Sequence, residues 1–227
     1  GSGSAGRMLA GMGERAERAR ASMVAEQLRR RGIRDERVLE VMATLPREAF
    51  VPGTPDAVAY DDRALPIEAG QSISQPYVVA RMSELLEVQP GDRILEVGTG
   101  SGYQAAILAR LGATVRSYER FEELAVGARA HFASAGIEGV EVVVGDGSAG
   151  DAAHRPWDGI IVTAAAPTIP DVLRDQLAVG ARLVIPVGPR HLQSLMVVER
   201  RGQAEWREWS DGAVVFVPLV GEGGWAH

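Results

Sequence analysis

The most restrictive feature of this sequence is an alternation that begins at Arg93. A dense apolar run reads as a strand at Arg93 to Val97, and further short strands follow at Thr114 to Glu119, Glu141 to Val144, Gly159 to Val162 and Arg182 to Val187. Helical periodicity fills gaps between them, at Tyr103 to Leu111, Phe121 to Ala135 and Ile169 to Ala178. Strands without polar alternation are buried on both faces, and helical crossovers between strands make their neighbours parallel. The expected class is therefore α/β, a mostly parallel sheet with helices on both faces. Two later strand candidates, Ser194 to Glu199 and Ala213 to Leu219, have no helix between them. They predict an antiparallel hairpin or edge and bring the sheet to seven strands.

Upstream the pattern is different. Ala16, Ala19, Met23 and Leu28 form an apolar stripe in a helix from about Glu14 to Arg31, ended by Gly32. Its arginines alternate with acids, which fits a solvated face better than a nucleic-acid arm. Val38, Val41, Met42 and Leu45 predict a second short helix, stopped before Pro46. Residues 50 to 70 are rich in Pro, Gly and Asp and read mostly as loop. Another helix opens with Pro76 in its first turn and carries Val78, Val79, Met82, Leu85 and Leu86. Gly1-Ser2-Gly3-Ser4 reads as a flexible leader or cloning remnant. The expected division is a leader over 1–8, a helical and substrate-binding region over 9–90, a nucleoside-binding core over 91–222 and a tail over 223–227, all in one globular domain.

Composition narrows the partners. A formal net charge of −6 argues against nonspecific nucleic-acid binding, which depends on neutralising phosphates. Cysteine is absent, which removes disulfides, thiolate nucleophiles and sulfur-based zinc sites. His131, His154, His191 and His227 are scattered without metal spacing, so no metal is expected. No stretch is apolar enough to span a membrane, and the N-terminal region lacks the apolar run of a secretion signal. A cytoplasmic location without membrane attachment is the expectation.

Where the first core strand meets its helix stands Glu96-Val97-Gly98-Thr99-Gly100-Ser101-Gly102. Glycines there permit a tight turn and let a ligand approach the backbone. Glu119 follows Gly98 by 21 residues and ends the second strand, where an acid can accept hydrogen bonds from both ribose hydroxyls. The loop is GxGxG, not the GxGxxG that seats a pyrophosphate on a helix N-terminus. Glu96, just before it, would repel a phosphate but suits a ligand ammonium or the amides of the turn. Val144-Gly145-Asp146-Gly147 ends the third strand, where Asp146 can accept from an adenine amino group. These features favour S-adenosylmethionine over a dinucleotide. An ordinary turn remains the plain alternative for Asp146-Gly147.

With these elements in view, the protein resembles the protein-L-isoaspartate O-methyltransferase family of class I, Rossmann-like S-adenosylmethionine-dependent enzymes. The resemblance runs from about Met23 to Gly221. It rests on Leu45-Pro46-Arg47-Glu48-Ala49-Phe50-Val51-Pro52, Tyr60-Asp61-Asp62, Ala64-Leu65-Pro66-Ile67, Gln71-Ser72-Ile73-Ser74-Gln75-Pro76, Glu96 to Gln104, Gly145-Asp146-Gly147, Thr163-Ala164-Ala165-Ala166-Pro167, Pro186-Val187-Gly188 and Phe216-Val217-Pro218-Leu219. The glycine loop is shared widely among methyltransferases, whereas the Ser-Ile-Ser-Gln-Pro block and the Phe-Val-Pro-Leu segment are particular to this family. Ser72 is a small departure, since members often carry Thr there.

The resemblance implies methyl transfer from S-adenosylmethionine to the free carboxylate of L-isoaspartyl, and by extension D-aspartyl, residues of damaged proteins and peptides. The ester then collapses to succinimide, and S-adenosylhomocysteine is the other product. It implies a cofactor set of Glu96, Gly98, Thr99, Gly100, Gly102, Gln104, Glu119, Arg120, Asp146, Gly147 and Thr163. It implies a substrate set of Ser72, Ile73, Ser74, Thr163, Val215 and Val217, with Ser74 as the catalytic residue that orients the carboxylate. A monomer is expected. The chemistry asks little of the protein, because a carboxyl group with a pKa near ~4 is already an anion and needs no general base. Opposite charges meet and disperse in the transition state, which a dry, well-oriented site favours.

Several readings stay open at this stage. From the residues alone Ser74 reads sooner as a helix N-cap before Gln75-Pro76, a preference that the resemblance reverses, and a helix N-terminus also favours an anion. Thr163 touches substrate, cofactor or neither. The strand around Val215 to Val217 either pairs with a substrate backbone or is a plain edge. A related enzyme methylating an Asp of one dedicated precursor peptide keeps the same chemistry. An NAD-linked oxidoreductase would need the missing GxGxxG. An amino-group methylase of nucleic acid would need an Asn/Asp-Pro-Pro-Tyr segment where Thr163-Ala164-Ala165-Ala166-Pro167 stands. A nonenzymatic binding module would have no need of the loop, Glu119 and Asp146 together.

Overall fold

The computed structural model describes residues 13–226, so the leader expected over 1–8 lies outside the described residues. Helix α1 covers residues 13–29 and relaxes into a wider π-helical winding at Met23–Arg29, with Met23 and Leu28 buried. Helix α2 (Glu36–Thr44) is capped by Asp35, whose carboxylate accepts from the Arg37 amide, and buries Val38, Leu39 and Met42. The expected loop over 50–70 is more structured than its composition suggests. It holds a helical turn, α3 (Asp56–Ala59), a 3-10 turn at Glu68–Gly70, and the first strand of a small antiparallel ribbon, β1 (Leu65–Pro66) with β2 (Ser72–Ile73). Helix α4 (Pro76–Leu86) follows, with Pro76 in its first turn as expected.

The core then alternates through β3 (Arg93–Val97), α5 (Tyr103–Arg110), β4 (Thr114–Glu119), α6 (Glu122–Ala135), β5 (Val140–Val144), β6 (Trp157–Val162), α7 (Asp171–Arg174), β7 (Leu177–Val187), β8 (Gln193–Arg200) and β9 (Trp206–Val214). The seven strands lie in the order β5-β4-β3-β6-β7-β8-β9. All pairings from β5 to β7 are parallel, while β8 and β9 return antiparallel. Strand order reverses at β3, which has β4 on one side and β6 on the other. That reversal opens a crevice at the carboxyl ends of these strands, where ligands bind in such sheets.

Two elements differ from expectation. The helix expected over Ile169 to Ala178 is a single turn, and β7 begins at Leu177. Gln176 ends it: its terminal amide donates to the Ala149 carbonyl and accepts from the Asp151 amide, fastening this segment to the neighbouring turn. The last strand is Trp206–Val214, not Ala213 to Leu219. Its charged residues hide the apolar signal, since the inward residues are Trp206 and Trp209, each lying under arginine guanidiniums. Residues 215 to 219 leave the sheet and cross to Ala165, whose amide donates to the Val217 carbonyl and whose carbonyl accepts from the Leu219 amide.

One hydrophobic cluster joins the N-terminal helices to the sheet. Phe50 is fully buried, with ring centroids 5.4 Å from Tyr103 and 6.4 Å from Phe132. Burying such a residue stabilises the fold by roughly 1.5–3 kcal/mol. This packing holds the segment that bears Ser72 to Ser74 against the first turn of α5, beside the glycine loop.

Candidate active site

Three adjoining cavities open at the carboxyl ends of the strands. The first, about 180 Å³, is lined by Gly98, Gly100, Glu119, Arg120, Asp146, Gly147 and Thr163 among others. The second, about 430 Å³, is lined by Ser72, Ser74, Thr163, Val215 and Val217 together with Asp62, Arg63 and Leu192. Between them lies a chamber of about 40 Å³, walled by Ser72, Ile73, Ser74, Thr99, Tyr103, Gln104 and Thr163. Ser72 and Thr163 line all three.

The glycine loop is built from below. Its Gly98 and Thr99 amides donate to the Tyr118 carbonyl, tying β3 to β4. The Thr163 hydroxyl, at the end of β6, donates to the Gly98 carbonyl at 2.5 Å. Gly98 has φ of +100° and sits so close to Thr163 Oγ1 that nothing larger than glycine fits. Glu119 is buried and accepts from the Gly100 amide at 2.9 Å and the Phe121 amide at 3.0 Å. Each carboxylate oxygen keeps further acceptor capacity toward the first cavity.

Asp146 accepts from the Ser148 amide at 2.9 Å and the Glu222 amide at 3.1 Å. Burial pushes its carboxyl up, but these hydrogen bonds and the Arg120 charge outweigh that and hold it below the usual range. Gly147 packs under Tyr118, where a Cβ would lie 2.5 Å from the tyrosine Cβ. Arg120 donates to the Val220 carbonyl at 3.1 Å. Residues 217 to 220 thus cover the first cavity.

Four residues of the expected cofactor set do not line that cavity. Thr99 and Gln104 face the small chamber, and Gln104 donates to the Ser83 hydroxyl at 2.8 Å. Gly102 faces away, against the Phe132 ring. Glu96 lies beneath the loop, fully buried, with Oε2 accepting from the Ser117 hydroxyl and Oε1 without a partner. Burial pushes its carboxyl up to about 8, against the Ser117 hydrogen bond, and the Glu119 charge adds to the rise. Glu96 is thus part of the wall beneath the loop and does not line the first cavity.

Ser74 is not the helix cap. The N-cap of α4 is Gln75, whose amide group makes no capping bond. The Ser74 carbonyl instead accepts from Arg47 Nη2 at 2.9 Å. Arg47 is fully buried, donates from Nε to the Ala59 carbonyl at 2.7 Å and lies 4.9 Å from the Tyr103 ring centroid. Burial pulls its pKa below the ordinary value, opposed by Tyr103 and Tyr60. Sequence reasoning missed Arg47 because a buried arginine breaks the expected pattern. It also missed Gln71, Tyr118, Phe121 and Ser148, which line the first cavity.

The first cavity fits a nucleoside better than a phosphate, since two carboxylates, Glu119 and Asp146, line it. A sequence model of the protein-L-isoaspartate(D-aspartate) O-methyltransferase family matches residues 19–224. The chain belongs to this family. A protein-L-isoaspartate O-methyltransferase of Methanoculleus marisnigri is 55% identical over 92% of this chain and 94% of its own length. A second, from Pelobacter propionicus, is 54% identical over 91% and 92%. A solved protein-L-isoaspartate O-methyltransferase superposes with a TM-score of 0.79 at 26% identity, covering 90% of this protein and 66% of that one. A Plasmodium falciparum protein assigned to the same activity, solved in complex with S-adenosyl-L-homocysteine, gives 0.76 at 25% identity, covering 88% and 98%.

Protein-L-isoaspartate O-methyltransferases use S-adenosylmethionine as methyl donor, and the seven-stranded Rossmann-like sheet with its N-terminal helices is theirs. Among the described residues no group of His, Cys, Asp and Glu is arranged to hold a metal ion, and no helix is long and apolar enough to cross a membrane.

Proposed function

We propose that this protein methylates the free carboxylate of L-isoaspartyl residues at the junction marked by Ser72 and Thr163. The observation that carries the reading is that these two residues line all three cavities, so donor and acceptor spaces meet there. The first cavity takes the adenosyl part of the donor, with Glu119 toward the ribose and Asp146 toward the adenine. The small chamber, with Thr99 and Gln104, takes the methionine part. S-adenosylmethionine, when bound, supplies the electrophilic methyl group.

The protein's own task is to hold the acceptor. Ser74, whose hydroxyl is unused by the helix, donates to the substrate carboxylate, and Ser72 assists from the ribbon. Arg47 fixes the Ser74 backbone. The segment at Val215 to Val217, whose Val215 is exposed on the rim, guides the substrate backbone. No group on the protein removes a proton, because the acceptor is already ionised. Activity on D-aspartyl residues, a monomeric state and a cytoplasmic setting without nucleic-acid or membrane partners complete the reading. Of these, D-aspartyl activity is supported by the family description and the lack of a nucleic-acid partner by the acidic net charge. A dedicated precursor peptide finds no support, since the relatives carry the isoaspartate description.

The test is methyl transfer from labelled S-adenosylmethionine to two peptides differing only in isoaspartate or aspartate at one position. Label should enter the first alone. Equal labelling, or none with a fresh preparation that binds S-adenosylhomocysteine, would overturn the reading.

A further inference from the structure

Isoaspartate arises when the backbone nitrogen after an Asp or Asn attacks the terminal carbonyl of that residue, most readily when glycine follows. The sequence has no asparagine, so the faster deamidation route is closed to it. Its Asp-Gly steps are Asp146-Gly147, Asp158-Gly159 and Asp211-Gly212. The first two are locked. Both Asp146 oxygens accept backbone amides, and Gly147 is wedged under Tyr118. Gly159 pairs with Ile94 and Arg182 in the middle of the parallel sheet, while Asp158 accepts from the Arg93 amide.

Asp211-Gly212 is placed differently. It lies on β9, the edge strand, where the register passes from Ser194↔Ala213 to Met196↔Ser210. Leu195 therefore faces two residues, and Asp211-Gly212 forms a β-bulge with an unpaired residue in the ladder. Gly212 is exposed, has φ of +139° and has open space where a Cβ would stand. Asp211 is restrained by Arg81 of α4, whose Nε donates to Oδ2 at 2.7 Å and whose Nη2 donates to Oδ1. That pairing holds both carboxylate oxygens on the guanidinium and so restrains the side chain from turning its Cγ toward the Gly212 nitrogen.

We propose that Asp211-Gly212 is this protein's own isomerisation site, and that the isoaspartyl form there is a substrate for a second copy of the enzyme. In the first step the Gly212 nitrogen bonds to Asp211 Cγ, and a Cγ–Oδ bond breaks with loss of water, giving a succinimide. Water then adds at the α-carbonyl and its bond to the nitrogen breaks, leaving a β-linked backbone and a free α-carboxylate. No oxidant or other reactant enters. The change lengthens the backbone by one methylene beside Ala213 to Val217, the wall of the substrate cavity, and shifts the carboxylate that Arg81 holds.

The isomerisation half stands on the protein's own chemistry, while the substrate half rests on the proposed methylation activity. Purified enzyme is aged at neutral pH and mild temperature, digested, and isoaspartate located by fragmentation mass spectrometry. Fresh enzyme and labelled donor are then added to the aged digest and to an isoaspartyl control peptide. Isoaspartate and label should appear in the peptide containing Asp211, be lost in Asp211→Glu, and accumulate faster in Arg81→Gln. Isoaspartate at Asp146 or Asp158 with none at Asp211 would overturn the assignment. Isoaspartate at Asp211 that takes no label while the control peptide does would refute the substrate half alone. Failure to label either one would refute the methylation reading and leave the isomerisation site standing.

Discussion

Replacing Ser74 by Ala separates two roles that the residue types leave open. Were Ser74 the cap of α4, its loss would cost roughly 0.5–2 kcal/mol of stability. The N-cap is Gln75, so that cost does not apply. Ser74 is half-buried, and removal of one hydroxyl should change stability by no more than about 0.5 kcal/mol. In a protein of this size that is a melting shift of about 1–2 °C. The hydrogen bond to the substrate carboxylate is charge-assisted and worth roughly 1.5–3 kcal/mol, or about 10- to 150-fold in catalytic efficiency. Methylation of an isoaspartyl peptide, affinity for S-adenosylhomocysteine and thermal melting should be measured together. Efficiency should fall within that range with affinity and melting near parental values, and Ser74→Thr should recover most of it. A Ser74→Ala enzyme that methylates at the parental rate, or loses activity only in step with its melting point, would refute the argument.

Glu119→Ala should weaken S-adenosylhomocysteine binding by about tenfold or more and also lower the melting point. It strips acceptors from the Gly100 and Phe121 amides at roughly 1–3 kcal/mol each, and calorimetry with melting curves reads both effects. Glu96 has its folded-state pKa raised from 4.5 to about 8, so the folded protein holds a proton that the unfolded state has released. Its stabilising contribution is fully present below 4.5 and fades as pH rises through about 8. The gap in stability between about pH 6 and about pH 9 should shrink in Glu96→Gln, as measured by denaturant unfolding. Gly147→Ala should abolish cofactor binding in the same calorimetric assay, because the new methyl would collide with Tyr118. Arg47→Met should cost about 2–6 kcal/mol by denaturant titration, since it leaves the Ala59 and Ser74 carbonyls unpaired.

The parallel core was legible because its central strands, β3 and β6, are buried almost throughout and its helices carry a clear period. Glycine loop, Glu119 and Asp146 were legible because each sits at a strand end, a place fixed by topology. What escaped was written in polar groups. Gln176 cuts α7 short through its amide, and the charges of β9 mask a strand whose packing depends on Trp206 and Trp209. Glu96 is adjacent in sequence to the ligand loop, yet the pleat turns its carboxyl group into the wall beside Ser117. No local pattern marks Arg47, whose meaning appears only when Ala59 and Ser74 are brought beside it.

The cover over the first cavity has a consequence for which part of the chain makes the protein competent. Pro218, Leu219 and Val220 wall that cavity, and Glu222 supplies an amide to Asp146, whereas every strand of the sheet is encoded upstream. Strands and roof are therefore separable in the chain. Ligand affinity should depend on these few residues and not on the sheet alone. A chain ending before residue 217 should keep every strand and lose its affinity for the cofactor.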